Sequence, residues 1–414
     1  MGTSCTSHSP PEAMALAATD PLFTSNFASL LGWAGHRYGE STAMTFGGRS
    51  ISFSRLASRS AAIRAALRRA GVGAGDRCAV LIRDPADAAA GFFAVLALGA
   101  IGMNVNELYR PRQVEYVLQH SGASVFLSAD DFLKSQPRKL ETSARILSVD
   151  GLPDSGDELD VLAGAGDAGA QITYTSASTG LPKGVLMSHQ ALWAGVRIVS
   201  DYLGLTASDR IASLLPFSFV YGFNQLTTSL FIGATLVVDR STLASEIVEN
   251  LRRERVSVVA GVPPLWAQLL NVRAFREQPI ETLRIVTCAG GRLPPAKVRE
   301  LRQAQPQARL FLMYGLTEVF RSTYLPAEQV DAHPDSMGRA IPESTVYVVR
   351  DDGTLADTGE IGGLVHGGPA VGLGYLGDAD GAVQALADVI QGGNKYEKLA
   401  ALNALEYMWR AGHV

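Results

Sequence analysis

The chain has 414 residues, 47% hydrophobic and 18% charged, with a formal net charge of −4. That composition suits an ordinary globular protein with room for one large domain or two to three subdomains. The slight acidity argues against a nucleic-acid partner, no apolar run approaches the ~20 residues that span a bilayer, and the three scattered cysteines have no metal-ligand spacing, which points to reduced thiols in a cytoplasmic protein.

Residues 1–22 are small, polar and proline-containing, and predict a disordered arm. From 23 to 170, amphipathic helices alternate with short apolar strands, the pattern of an α/β subdomain. A helix over 53–70 would turn Leu56, Ile63 and Leu67 to the core and Arg55, Arg59, Arg64 and Arg68 outward. A buried strand follows at 78–82, then an alanine-rich helix at 85–98, an extended stretch at 100–106, a helix at 111–120 and a strand at 124–127. Residues 154–170, rich in Gly, Ala and Asp, read as a linker.

A second α/β subdomain spans 171–340. Strands at 171–174 and 185–187 flank a polar loop, and Ser188 predicts the N-cap of the next helix. Further on, the strand at 256–260 runs into Gly261-Val262-Pro263-Pro264, that at 283–288 into Ala289-Gly290-Gly291, and that at 310–313 into Tyr314-Gly315-Leu316-Thr317-Glu318. Ligands of parallel sheets sit beyond the carboxyl ends of the strands, so these loops predict one crevice. Residues 341–378 read as a small β subdomain with Asp351-Asp352-Gly353 as a turn, and 379–414 as a helical tail. The expected fold class is therefore α/β: two mostly parallel sheets flanked by helices, plus the small β subdomain and the C-terminal helical tail.

The loop after Tyr174 reads Thr175-Ser176-Ala177-Ser178-Thr179-Gly180-Leu181-Pro182-Lys183-Gly184. Its N–H groups and hydroxyls can donate to phosphate oxygens, its glycines admit close backbone approach, and its lysine adds a mobile positive charge. The strand–loop–strand order, with lysine before glycine, excludes a Walker A site. A Ser/Gly-rich surface turn is the plain alternative, and the length of the run with its Pro-Lys-Gly ending argues against it.

This run resembles the phosphate-binding signature of the adenylate-forming (AMP-binding) superfamily of acyl-CoA synthetases, carrier-protein ligases and adenylation domains. Ala177 stands where glycine is usual and adds one methyl group. Tyr314 to Glu318 is similar to a second signature of that family. The resemblance implies that Thr175, Ser176, Ala177, Ser178, Thr179, Gly180 and Lys183 bind ATP phosphates. It implies that Gly290 and Gly291 edge the adenine, that Tyr314 and Gly315 pack on it, and that Thr317 meets the α-phosphate. Glu318 would hold magnesium (Mg2+), because a carboxylate among phosphates needs a hard cation to bridge them. Lys183, Thr317 and Glu318 are the expected catalytic groups. His189 follows the loop as in this family and is expected to pack at a helix start. The motifs at 336–340 and 359–375 are expected to build the small β subdomain.

The segment from Leu215 to Gly222 is similar to the family's acyl-pocket motif, making Phe219, Val220, Ala289 and Gly290 the expected substrate contacts. Amino-acid-activating relatives carry an aspartate where Val220 stands, and burying an ammonium without its partner costs about 3–5 kcal/mol. The expected substrate is a small aryl, alkyl or hydroxy acid. The stretch from Phe320 to Pro326 leans toward amino-acid-activating ligases, which leaves an amino acid as the alternative. The implied activity is that of an AMP-forming acid–thiol ligase: ATP-dependent formation of an acyl-adenylate, then a thioester with CoA or a phosphopantetheinyl carrier protein. Asp378, Lys395 and Lys398 do not match the family's later ribose and lysine motifs. A C-terminal domain supplied in trans, or a non-catalytic nucleotide- or acyl-adenylate-binding protein, therefore stays open.

Overall fold

The computed structural model describes residues 21–164, 166–175 and 182–377. Residues 1–20 of the expected arm, the tail and Ser176 to Leu181 lie outside these residues; the arm's end is ordered, with Leu22 in a 3-10 turn and packed on the core. The chain begins with α1 (Ser29–Tyr38), β1 (Thr42–Phe46), β2 (Arg49–Ser52), α2 (Phe53–Arg69), β3 (Arg77–Leu81), α3 (Pro85–Ala97), β4 (Ile101–Asn104), α4 (Pro111–Ser121), β5 (Val125–Ser128), α5 (Asp130–Ser135) and β6 (Arg145–Ser148). It continues through β7 (Gly169–Tyr174), β8 (Gly184–Ser188), α6 (His189–Leu203), β9 (Arg210–Ser213), α7 (Val220–Ile232), β10 (Thr235–Val238), α8 (Ala244–Arg253), β11 (Val258–Gly261), α9 (Pro263–Asn271) and α10 (Arg273–Glu277). It then runs through β12 (Ile285–Cys288), α11 (Pro295–Ala304), β13 (Arg309–Tyr314), β14 (Thr323–Leu325), β15 (Arg339–Ala340), β16 (Thr345–Val349), β17 (Gly363–Gly367) and β18 (Gly374–Tyr375).

The helix starts follow local chemistry. Ser52 Oγ accepts from the N–H of Arg55 at 3.2 Å, and Ser188 Oγ from that of Ala191 at 3.0 Å. Asp84 caps α3, whose first residue is Pro85, where the missing N–H costs nothing. α3 is buried on every side, which its small Ala and Gly side chains permit.

Two mostly parallel sheets result, of nine and seven strands. In the larger, β13-β12-β11-β9-β10-β1 run parallel, with β14 and β15 added antiparallel at one end and β2 at the other. In the smaller, β7-β4-β3-β5-β6 run parallel and β8 and β18 are added antiparallel. The sheets interleave along the chain. β1 and β2 complete the sheet built mainly after residue 210, whereas β7 and β8 belong with β3 to β6, so a boundary at 170 is not a sheet boundary.

Three expectations need correction. Arg59 does not face outward: it is buried, with Nε and Nη2 on Asp87 at 2.7 and 3.1 Å and Nη1 on the carbonyls of Leu152 and Pro153. The described residues of 154–168 have no regular structure, as a linker would, yet they pack on the helices, and 169 and 170 already belong to β7; Leu159 is buried and Leu162 N–H donates to Ala97 O at 2.9 Å. Of the two motifs expected to build the small β unit, only β17 in 359–375 does so, as the pair β16–β17; β15 at 339–340 joins the nine-stranded sheet through β14, and β18 at the end of 359–375 pairs with β8.

Candidate active site

The parallel strands β9, β11, β12 and β13 end along one edge, at Ser213, Gly261, Cys288 and Tyr314. Beyond β12 and β13 lies a cleft of ≈430 Å³ lined by Gly290, Gly291, Tyr314, Gly315, Met313 and Met337, among others. Gly290 has φ +81°, and a Cβ there would come within 3.2 Å of Val262 Cγ1. The loops after β11 and β12 thus approach closely through a glycine that accepts a left-handed backbone. Ala289 is buried in the core behind this cleft and does not line it.

Lys183 and Glu318 meet around one aromatic ring. Thr175 N–H donates to Lys183 O at 2.9 Å and closes the base of the loop between β7 and β8. The Lys183 ammonium, on an exposed side chain, lies 5.0 Å from the centroid of the Tyr375 ring. The Tyr375 hydroxyl donates to Glu318 Oε1 at 2.6 Å. Backbone pairing fixes the arrangement: Tyr375 is in register with Val185, Leu376 N–H donates to Gly184 O, and Gly372 N–H donates to Glu318 O at 2.7 Å. Thr317 and Glu318 form the short 3-10 turn Thr317–Val319 directly after the loop that follows β13. Among the described residues no group of three or more His, Cys, Asp or Glu gathers. A lone carboxylate of this kind fits magnesium, which takes one or two carboxylates and completes its shell with phosphate oxygens.

His189 begins α6 and is buried, with Nδ1 accepting from Phe27 N–H at 3.0 Å. Burial pushes its pKa down to about 4, so it is a neutral packing residue, as expected for a helix start. Tyr174 shares a 2.9 Å hydrogen bond with His120 Nδ1, and burial raises its phenol pKa.

Val220 opens α7 half-buried against the core, and Phe219 before it is largely exposed, beside a small crevice that also touches Tyr174. Neither lines the cleft at Gly290. Gly222 holds this corner together: a Cβ there would lie 2.1 Å from Pro216 O. Sequence reasoning missed Tyr375 as a site residue, along with a buried group behind the cleft formed by Tyr221, Thr287 and Arg321. Tyr221 Oη and Thr287 Oγ1 are 2.5 Å apart, and the Arg321 guanidinium lies 4.7 Å from the Tyr221 ring centroid. The available signal was Arg321 itself, the lone charge between Val319 and Pro326.

The family described as AMP-binding enzyme matches residues 31–376. The chain is 28% identical over 342 residues, 82% of its length, to bacitracin synthase 3 of Bacillus licheniformis. It is 28% identical over 365 residues to indoleacetate–CoA ligase of Aromatoleum aromaticum, covering 84% of this chain and 71% of that protein. The chain spans only 5% of bacitracin synthase 3, and 5% to 8% of the first peptide synthases it matches. Among solved structures, the N-terminal domain of FACL13 from Mycobacterium tuberculosis shares the fold, with a TM-score of 0.78 at 21% identity, covering 86% of this chain and 92% of that one.

Proposed function

The chain belongs to the AMP-binding enzyme family, and on that premise we propose that it activates a small carboxylic acid with ATP, as an acyl-adenylate destined for a thioester with CoA or a carrier-protein phosphopantetheine. The observation that carries this reading is the meeting of Lys183 and Glu318 around Tyr375, beside the loops that line the Gly290–Tyr314 cleft.

In the proposed step a carboxylate oxygen of the acid attacks the α-phosphorus of ATP. A new O–P bond forms while the bond to the bridging oxygen breaks, and pyrophosphate leaves with that electron pair. The flexible Lys183 ammonium, with Thr175 and the residues from Ser176 to Gly180, would hold the β- and γ-phosphates. The Thr317 hydroxyl would meet the α-phosphate, and Gly290, Gly291, Tyr314 and Gly315 would receive the base. Glu318 would hold magnesium, which supplies charge neutralisation between carboxylate and phosphates. Preorganised donors of this kind each contribute ~3–4 kcal/mol to such a transition state. Val220 offers no counter-charge to an ammonium, which supports an acid without an α-amino group over an amino acid.

Acid-dependent exchange of labelled pyrophosphate into ATP tests the proposal. We expect exchange with a subset of small acids and a loss of about 100-fold in Lys183→Gln. Binding of ATP without exchange for any acid would leave a non-catalytic nucleotide binder, and a preference for an α-amino acid over its deaminated analogue would overturn the substrate reading.

A further inference from the structure

We propose that Arg321 reads a second carboxylate on the acid, so that the substrate is a short dicarboxylic acid activated at one end and anchored at the other. This deepens the activity proposed above and rests on it. Arg321 follows the turn that carries Thr317 and Glu318. Phe320, with φ +57°, redirects the chain between them, and the antiparallel β14 begins two residues later. The residue is only 3% exposed. It lines a small cavity of ≈20 Å³ together with Tyr221, Asn224, Gln225, Thr228 and Thr287.

Its Nε and Nη2 atoms are both buried and have no hydrogen-bond partner. Two other arginines show what this pair of atoms does when an acid is at hand. Arg59 sets Nε and Nη2 on the two oxygens of Asp87 at 2.7 and 3.1 Å, and Arg284 sets the same two atoms on Asp209. Arg321 presents the same planar fork, and among the described residues no Asp or Glu pairs with it. Its neighbours are aromatic: the Tyr221 ring faces the guanidinium, and the neutral Tyr202 phenol is a hydrogen-bonding neighbour of it. Aromatic faces attract a cation without neutralising it, and a buried charge with no counter-charge is costly.

The rest of the cavity points the same way. Asn224 Nδ2 and Gln225 Nε2, in residues each 4% exposed, also lack partners, as does one acceptor, Gln225 Oε1. Donors therefore outnumber acceptors around a space that takes one or two water-sized groups, enough for a carboxylate and too little for a long chain. A carboxylate matches the fork at two points, whereas a single hydroxyl or amide matches it at one. The cavity also shares Met313 with the cleft at Gly290, and Thr287 precedes the Cys288 that lines that cleft. The two spaces are thus neighbours across Met313 and the Thr287–Cys288 step, and an acid joining them would need a short spacer between its two carboxylates.

The test compares chain-length-matched pairs on the full chain: malonate with propionate, succinate with butyrate, glutarate with valerate. We expect at least one dicarboxylate to exceed its partner by about 100-fold or more in kcat/KM for pyrophosphate exchange. Arg321→Met should abolish that preference, with the dicarboxylates losing far more activity than their monocarboxylate partners. Arg321→Lys should retain part of it. Melting temperatures of both variants identify a merely structural role, which would depress all acids alike and overturn the proposal. A wild-type protein that prefers the monocarboxylates overturns it without any variant. If no acid supports exchange, the activity reading fails by itself, and calorimetry with the same dicarboxylates in the presence of AMP decides the role of Arg321. Binding lost in Arg321→Met supports the anchor, whereas absent or unaltered binding refutes it.

Discussion

Tyr375 touches both Lys183 and Glu318, which makes its hydroxyl the sharpest place to perturb the proposed chemistry. Tyr375→Phe keeps the ring, the face presented to Lys183 and the backbone pairing with Val185, and deletes one hydrogen bond of 2.6 Å to the Glu318 carboxylate. Hydrogen bonds to charged groups contribute ~1.5–3 kcal/mol. Both side chains are partly exposed, so the lower part of that range applies, about 1.5–2 kcal/mol, or roughly 10- to 30-fold in kcat/KM for exchange. Glu318→Gln removes the charge and should cost ~100- to 1,000-fold. If Tyr375 acts by positioning Glu318, the two losses are not independent. The double variant should then fall within about 3-fold of Glu318→Gln alone, a coupling of the size measured between contacting residues. Double-mutant kinetics, compared as kcat/KM for the acid at fixed ATP, read this directly. Losses that multiply, or a Tyr375→Phe enzyme indistinguishable from wild type, would refute the reasoning.

Asp87→Asn leaves the buried Arg59 without its counter-charge and should cost about 3–5 kcal/mol, seen as a lower urea midpoint at unchanged slope. His189 has a folded pKa near 4 against an ordinary 6.5, so the unfolded chain binds its proton first as pH falls. Its contribution is complete above pH 6.5 and is lost between pH 6.5 and 4, amounting to about 3 kcal/mol at the acid end. Stability measured from pH 7 to 4 should show that loss in wild type and not in His189→Gln; parallel curves would sink the assignment. Gly222→Ala places a methyl 2.1 Å from Pro216 O, so the corner at the start of α7 must move. We expect a loss of at least about 1–3 kcal/mol by calorimetry, and a variant that melts with wild type would contradict the packing.

Much of the fold was legible because its signals are local. The 53–70 helix, the Ser188 cap and the strand ends at Cys288 and Tyr314 come from periodicity and capping within a few residues. Strand partnership is not local: nothing within Thr42–Ser52 says that β1 will pair with β10 rather than with β3, which is closer along the chain. The candidate site divides in the same way. Gly290, Gly291, Tyr314 and Gly315 were legible together because loops after parallel strands share one edge. The role of Tyr375 was hidden because it depends on β18 crossing to β8.

Arg59 and Arg321 were misread or passed over for one physical reason. A helical wheel assigns a face, and a motif assigns a position, but neither says what later chain will cover that face. Segment 149–153 covers Arg59, whose charge is then met by Asp87 and three backbone carbonyls. α7 and β12 cover Arg321, and they bring hydroxyls, amides and an aromatic ring without a carboxylate. Burial of a guanidinium is tolerable in both places only if a counter-charge is supplied. At Arg59 the chain supplies it, so substitution should register as lost stability with little change in substrate choice. At Arg321 the acid would supply it, so substitution should register in substrate choice first.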